Sequence, residues 1–491
     1  MGAWSVRSAH TRAVLGAAAA AAVLASSIGS LPASATGAAK KGTGVWTKIS
    51  TPKVSGIDEP GVLRLKDGRL LVVYYHEAPS GKAGYGSTIV TAKGKVASTG
   101  TVLSNWSTLV HDPKPIRISG SRVSVVFSGI RKTTPPGGPY DLGSMYSLSA
   151  PASAASWSLD TTGLSTSKSA YGSYGTGALV LPDGTPVVSF PLGGDITWRT
   201  GFDPSIPSGG TDKSFATGGC CAYKTSLAHD SVSDETFVSW YSNASAKADN
   251  GTFVRRLLPS LGPITKDPGS SVGSSSLPND QATALESRLG AAGTYAAYCV
   301  GYPSCKHVVL WRLGTAKAKI VPHSKNAHHV ALAAGPGGRM WVLWDGYGST
   351  RVYAVHTNPA ATKFGAVHVI ATPKASGVYT ITGEGSASRK LDIVINTGTA
   401  LYTTQVLPSL TFAAKPGRFR SGHRTVVTFS VTDAGAPVVN ARVSVNGKSA
   451  RTNAKGKASF AFGAKTKPGR YRAKVNKRGF YQSSLIVRVT H

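Results

Sequence analysis

After the first few dozen residues, no stretch approaches the roughly 18 consecutive apolar residues that a membrane-spanning helix requires, so no membrane span is expected. Long helical periodicities are nearly as scarce. Only Ala-rich runs hint at helix, and most of them fall before residue 36. Cysteine is limited to four residues and never falls in C-x-x-C spacing, which argues against a structural metal site. The motifs G-x-S-x-G, H-E-x-x-H and the P-loop are all missing, and with them the usual signatures of serine hydrolases, zinc proteases and nucleotide binders. Acids are few, 22 against 54 Lys and Arg, for a formal net charge of +32. No RNA- or DNA-binding motif accompanies that charge, so no specific nucleic-acid partner is expected.

What the chain does have is Gly (57), Pro (28) and abundant Ser, Thr and Val, the composition of an all-β protein of many short strands. A pattern recurs seven times, roughly every 50 residues. A polar or aromatic cluster leads into an apolar strand, a Gly-containing turn and a second apolar strand. The clearest copies are Glu59–Tyr75 with its Asp67-Gly68 turn, Asp112–Phe127 and His329–Trp344. Looser copies span Ala178–Phe190, Ser226–Trp240, Ala282–Tyr298 and Thr380–Ile395. Such repeats predict an all-β fold: a seven-bladed β-propeller over residues 44–408, with six blades and an irregular insertion as the alternative. The apolar runs Leu70–Tyr75, Val123–Phe127 and Met340–Trp344 are expected as inner strands.

Residues 1–35 read as a signal peptide. Arg7 and Arg12 precede the apolar stretch Ala13–Leu24, and Ala33-Ser34-Ala35 is an A-x-A cleavage site. The protein is therefore expected outside the cell, secreted or wall-associated, where disulfides form. Cys299 and Cys305 flank a turn-like loop and are expected to bridge locally; Cys220 and Cys221 then form a vicinal pair, or all four pair crosswise. From residue 409 onward, alternating Val/polar strands are broken by Asn-Gly, Lys-Gly and Pro-Gly turns, the pattern of a small antiparallel β-sandwich over 409–491. This segment holds 17 Lys and Arg against one acid, Asp433, which points to a polyanionic partner.

Counting back from each turn places Glu59, Asp112, Gly175, Ser226, His329 and Thr380 at one shared position, where an innermost strand begins at the channel mouth. Beside them lie Asp58, His111, Tyr174, Tyr223, His328 and Tyr379, with Asp280 and Gln281 near the equivalent place in the fifth repeat. Acids, imidazoles and phenols on one ring suit a sugar, through hydrogen bonds and stacking. A glycosidase needs two carboxyl groups about 5–10 Å apart; Asp58, Glu59, Asp112 and Asp280 are the acids available, with Tyr379 as a further catalytic candidate. No catalytic residue is assigned. Rim acids also suit calcium, but nothing in the sequence calls for a cofactor. His328 and His329 are adjacent, so a regular strand sends them to opposite faces and they are not expected to share a metal.

Two resemblances bear on these readings. Gly435-Ala-Pro437-Val438 with Ala441 and Val443, Thr452 with Gly456, and Pro468-Gly469-Arg-Tyr471 resemble bacterial Ig-like and carboxypeptidase-regulatory-like domains, which implies a spacer or adhesive module. Pro60, Asp67-Gly68 and Leu70-Leu71 resemble the opening of the sialidase and BNR-repeat propellers. Asp58-Glu59 stand where that family places its first substrate-clamping Arg, and an acid cannot replace bidentate guanidinium recognition. Tyr379 lies near the place of that family's nucleophilic Tyr, and no complete Asp-box is present, so the resemblance is to the scaffold. The function expected is that of a monomeric secreted glycan- or surface-binding protein, the channel mouth taking the ligand and the basic domain holding an anionic wall or matrix polymer. A glycosidase- or lyase-type enzyme at the same mouth is the alternative. A scaffold with only protein partners is the third reading.

Overall fold

The computed structural model describes residues 41–42, 45–50, 54, 59–78, 80–118, 122–130, 145–151, 156–159, 175–192, 194–201, 212–218, 222–272, 283–301, 305–346 and 349–491. Residues 1–35, Asp58, Tyr174, Asp280, Gln281 and the Cys220-Cys221 pair lie outside them. Among the described residues, a short 3-10 turn at Pro373–Ala375 is the sole helical element, and no helix is long and apolar enough to cross a membrane.

Seven successive sheets, most of four strands, are built before Leu407 among the described residues. Their first strands are Gly61–Arg64, Lys114–Arg117, Gly177–Val180, Ala222–Asp230, Ala284–Ser287, Ala327–Gly335 and Thr380–Glu384. Each lies against the first strand of the next sheet, and that of the seventh lies against that of the first. A closed ring of sheets around a central channel is the arrangement of a β-propeller. The turns that start each sheet are encoded locally. In the first, Gly68 takes φ +84°, Leu65 N–H donates to Arg69 O (2.8 Å), and the Asp67 carboxylate accepts the Arg69 backbone N–H (3.0 Å). The third repeats this with Gly184 (φ +91°) and an Asp183–Thr185 bond of 2.8 Å.

The apolar runs prove to be second strands, one step out from the channel, rather than inner ones. In Leu70–Glu77, the side chains of Leu71, Val73 and Tyr75 pack with Val123, Val125 and Phe127 of the second sheet. The alternate side chains Leu70, Val72 and Tyr74 pack with Val394 and Leu401 of the seventh sheet. Trp341 and Leu343 likewise join Ile381 and Ile393 of the seventh sheet, while Met340, Val342 and Trp344 join Val308 and Leu310 of the fifth. A strand covered on both faces is apolar throughout. The true first strands have one face on the channel, which explains their half-buried pattern, such as that of Gly61–Arg64.

The ring closes on itself through the N-terminal segment. Thr47–Lys48 pairs antiparallel with Leu401–Val406, so the seventh sheet is built from both ends of the ring. The Arg64 guanidinium of the first sheet holds Glu384 and Asp392 of the seventh. In the fifth sheet a disulfide joins Cys299 and Cys305, with Cα atoms 5.3 Å apart, as their spacing suggested.

Beyond Leu407 two sheets share one core. Val427, Phe429 and Val431 of the strand Thr425–Asp433 meet Val443, Val475 and Val487 of the facing sheet. Alternation is strict: in Gly469–Asn476, Ala473 and Val475 point inward while Arg470, Arg472 and Lys474 are exposed.

Candidate functional site

The channel encloses a cavity of about 250 Å³ bordered by all seven first strands, with Glu59 and Lys114 at the end where those strands begin. Glu59 is 6% exposed. Its Oε1 lies 3.4 Å from Lys114 Nζ and its Oε2 3.6 Å from Lys224 Nζ. Its backbone N–H donates to His111 O (3.0 Å), which fixes the first sheet's entry against the second.

Asp112 completes this cluster. It is 2% exposed, and neither carboxylate oxygen has a hydrogen-bond partner among the described residues. Burial raises its pKa and the Glu59 charge adds to the rise, while Lys224, Lys114 and His111 oppose it. Lys114 is raised as well: burial disfavours its ammonium, but Glu59 and Asp112 outweigh that cost. Space for the cluster depends on Gly175, at φ +90°. A Cβ there would stand 2.6 Å from Asp112 Oδ2 and 2.8 Å from Lys224 Cγ. Two carboxyls and two ammonium groups thus cluster beside Gly175, with Glu59 and Lys114 lining the channel cavity and Asp112 and Lys224 buried.

Of the residues nominated from sequence, Glu59 and Asp112 come together. Gly175 supplies the space beside them and His111 acts on Asp112, its ring stacked on Tyr75 with centroids 4.0 Å apart. Tyr223 stacks on Tyr241 at 5.3 Å. Tyr379 is 52% exposed and lies over Gly398, and no contact links it to the cluster among the described residues. Asp58, Tyr174 and Asp280 fall outside the described residues.

Lys224 was missed for a structural reason. The pairing of Ala222–Asp230 shifts between Tyr223 and Ser226, and Lys224 itself takes φ +44°. This bulge adds one residue within the strand and breaks the register, so counting back from the turn reaches Ser226, which lines the channel, and not Lys224. Lys114 was not nominated either; a cation two residues after Asp112, between Pro113 and Pro115, was the signal that could have found it. Deeper in the channel lies Glu286, whose carboxyl is pushed up to about 8 by burial, with Glu384 adding repulsion.

The expectation that His328 and His329 point apart is corrected. Ala327 pairs with Gly346 and Val330 with Trp344, so the two histidines together oppose the single residue Asp345. In this bulge their Nδ1 atoms lie 3.3 Å apart, and His329 Nδ1 is 3.1 Å from each Asp345 oxygen. Strict alternation applies only to a regular strand.

No family model matches the chain, and no curated protein does. Solved structures with similar backbones include a Hadza microbial sialidase, at 10% identity and TM-score 0.41, the match covering 71% of this chain and 65% of that one. This chain therefore spans just under two thirds of that sialidase's length. Polysaccharide lyase Uly1 is similar at 10% identity and TM-score 0.41, covering 73% and 92% of the two chains. The GH93 α-L-arabinofuranosidase of Fusarium graminearum, in complex with arabinobiose, is similar at 11% identity and TM-score 0.37, covering 74% and 96%. At such identities and scores these likenesses carry neither a family nor an activity to this chain.

Proposed function

We propose that this is a secreted glycan- or cell-surface-binding protein: a seven-bladed propeller whose channel mouth takes the ligand, followed by an Ig-like domain that holds an anionic wall or matrix polymer. The observation that carries the mouth reading is Asp112, a buried carboxyl with both oxygens unsatisfied among the described residues, beside Glu59, Lys114 and Lys224. A buried polar cluster beside the channel cavity, which Glu59 and Lys114 line, suits a polar ligand that supplies the missing hydrogen bonds, and sugar hydroxyls do so.

The anchor rests on one face of the sandwich. Arg470 sits directly across from Arg488, and Arg442 across from Arg451, with Arg472 and Lys474 exposed on the same strand as Arg470. Like charges paired across strands cost stability, and a polyanion relieves them.

One observation favours an enzyme as the second reading. Asp112, whose pKa is raised by burial and by Glu59, sits beside a second carboxyl, Glu59, whose two oxygens face two lysines. A general acid and its partner carboxylate are arranged in this way.

The test is a glycan array and turnover screen with the full chain, its Glu59→Gln variant and a triple variant of Arg470, Arg472 and Lys474 to Gln. Binding lost in Glu59→Gln with no turnover in the parent supports the binding reading. Turnover in the parent that vanishes in Glu59→Gln, with binding kept, supports the enzyme. If Glu59→Gln behaves as the parent throughout, the mouth is not the site. The triple variant should elute from an anionic polymer at lower salt than the parent; equal retention removes the anchor.

A further inference from the structure

We propose that His328, His329 and Asp345 form a binding site for a first-row divalent transition metal, zinc above all. The inference is independent of the ligand proposed for the channel mouth. It rests on the bulge at the start of the sixth sheet, where two consecutive histidines face one aspartate across the ladder.

The three ligand atoms lie within 4.8 Å of one another. Their closest separations are 3.3 Å between the two Nδ1 atoms and 3.1 Å from His329 Nδ1 to the carboxylate. Metal–ligand bonds of about 2.0–2.1 Å in tetrahedral geometry set ligand atoms roughly 3.3 Å apart. Two of the cluster's three edges are thus already spaced as in a zinc coordination sphere, and the third lies within 4.8 Å. Proton counting agrees. Two imidazole N–H groups aimed at each other repel, so at most one proton lies between the two Nδ1 atoms, and at least one lone pair points into the cluster. Both rings coordinate through Nδ1 once their protons sit on Nε2.

The carboxylate is held in place independently of any metal. Asp345 Oδ1 accepts the backbone N–H of His329 at 2.7 Å, and Asp345 is 1% exposed. A ligating oxygen fixed by a backbone hydrogen bond is the outer support that metal sites use. Two imidazoles and one carboxylate favour zinc and its neighbours over calcium, which takes six to eight oxygens. Three protein ligands leave one tetrahedral position for water or an incoming oxygen. His328, the half-buried member, sits on the approachable side, while His329 is 3% exposed.

The test uses the full chain, stripped with a chelator and titrated with Zn(II) and, as a spectroscopic probe, Co(II). A single zinc per chain is expected by calorimetry, together with visible Co(II) bands of four-coordinate intensity and a higher Tm with metal. Substitution at the buried His329 or Asp345 risks the fold, so His328→Ala carries the discrimination. It should leave the metal-free Tm unchanged and weaken zinc binding at least about tenfold. No binding by the parent at micromolar metal overturns the proposal, because the cluster is then only a hydrogen-bonded pin for the bulge. Binding by His328→Ala equal to the parent overturns it too, since the metal then sits elsewhere.

Discussion

Asp112 is the residue at which burial and charge compete most openly. Burial raises its pKa and Glu59 adds to the rise, so the folded protein holds the proton to higher pH than the unfolded chain does. A carboxyl raised on folding contributes most below the unfolded value, about 4, and costs stability as pH rises through the folded value. Asp112→Asn keeps the shape and cannot ionise. It should gain about 1–3 kcal/mol relative to the parent at neutral pH, with the gain vanishing below about pH 4. Urea melts of the full chain at both pH values check this, and a difference that does not change with pH refutes it. Glu59 and Asp112 were legible because repeats in register align residues that share a place in space. Lys224 was not, because the bulge around its positive φ adds a residue and breaks the register on which the count relied.

At the scale of the strand and sheet, the seven repeats were plain in the sequence, yet the apolar runs were misplaced by one strand. Hydrophobicity reports burial on both faces, and in this fold the doubly covered strand is the second, not the one beside the channel. Period-two reasoning failed again at His328-His329, where the bulge turns both rings toward Asp345. Ring closure carried no sequence signal of its own, since Arg64 and its partners Glu384 and Asp392 lie over 300 residues apart in the chain. Arg64 is 10% exposed in its side chain and Asp392 3%, so solvent screens this bridge little. Arg64→Met leaves two carboxylates close together without their shared cation. It should cost about 3–5 kcal/mol, seen as a lower Tm and urea midpoint. Arg64→Lys should recover only part, because one ammonium cannot fork to both carboxylates. Full recovery by Lys means that charge alone, without the fork, closes the ring.

For the whole molecule, the attachment of the C-terminal sandwich turns on its one acid. Asp433 is 1% exposed and accepts from Arg339 Nη2 at 2.9 Å and from the buried His356 imidazole, with Arg389 Nη1 at 3.7 Å. Arg339 and His356 belong to the sixth sheet, and Arg389 to the turn that joins the seventh's first two strands. The one acidic side chain beyond residue 408 thus faces the propeller, and the exposed charged side chains of that segment are all basic. Burial opposes the Asp433 charge, but His356 and Arg339 hold its pKa below the ordinary value. A depressed carboxyl contributes stability that is present above the unfolded value, about 4, and is lost as pH falls through the folded one. Other contacts across the seam include the Arg389 guanidinium over Phe480 at 4.8 Å, His368 against Tyr481 at 5.6 Å, and Tyr481 packed on the apolar cluster of the sixth and seventh sheets. Asp433→Asn should therefore loosen the sandwich at neutral pH, enlarging the radius of gyration in solution scattering and exposing the Leu407–Leu410 connection to protease. The parent should show the same enlargement only in acid, below about pH 4, where Asp433 takes up a proton. If the variant scatters as the parent does at every pH, apolar packing rather than this carboxylate holds the two parts together, and the basic face is oriented by something other than Asp433.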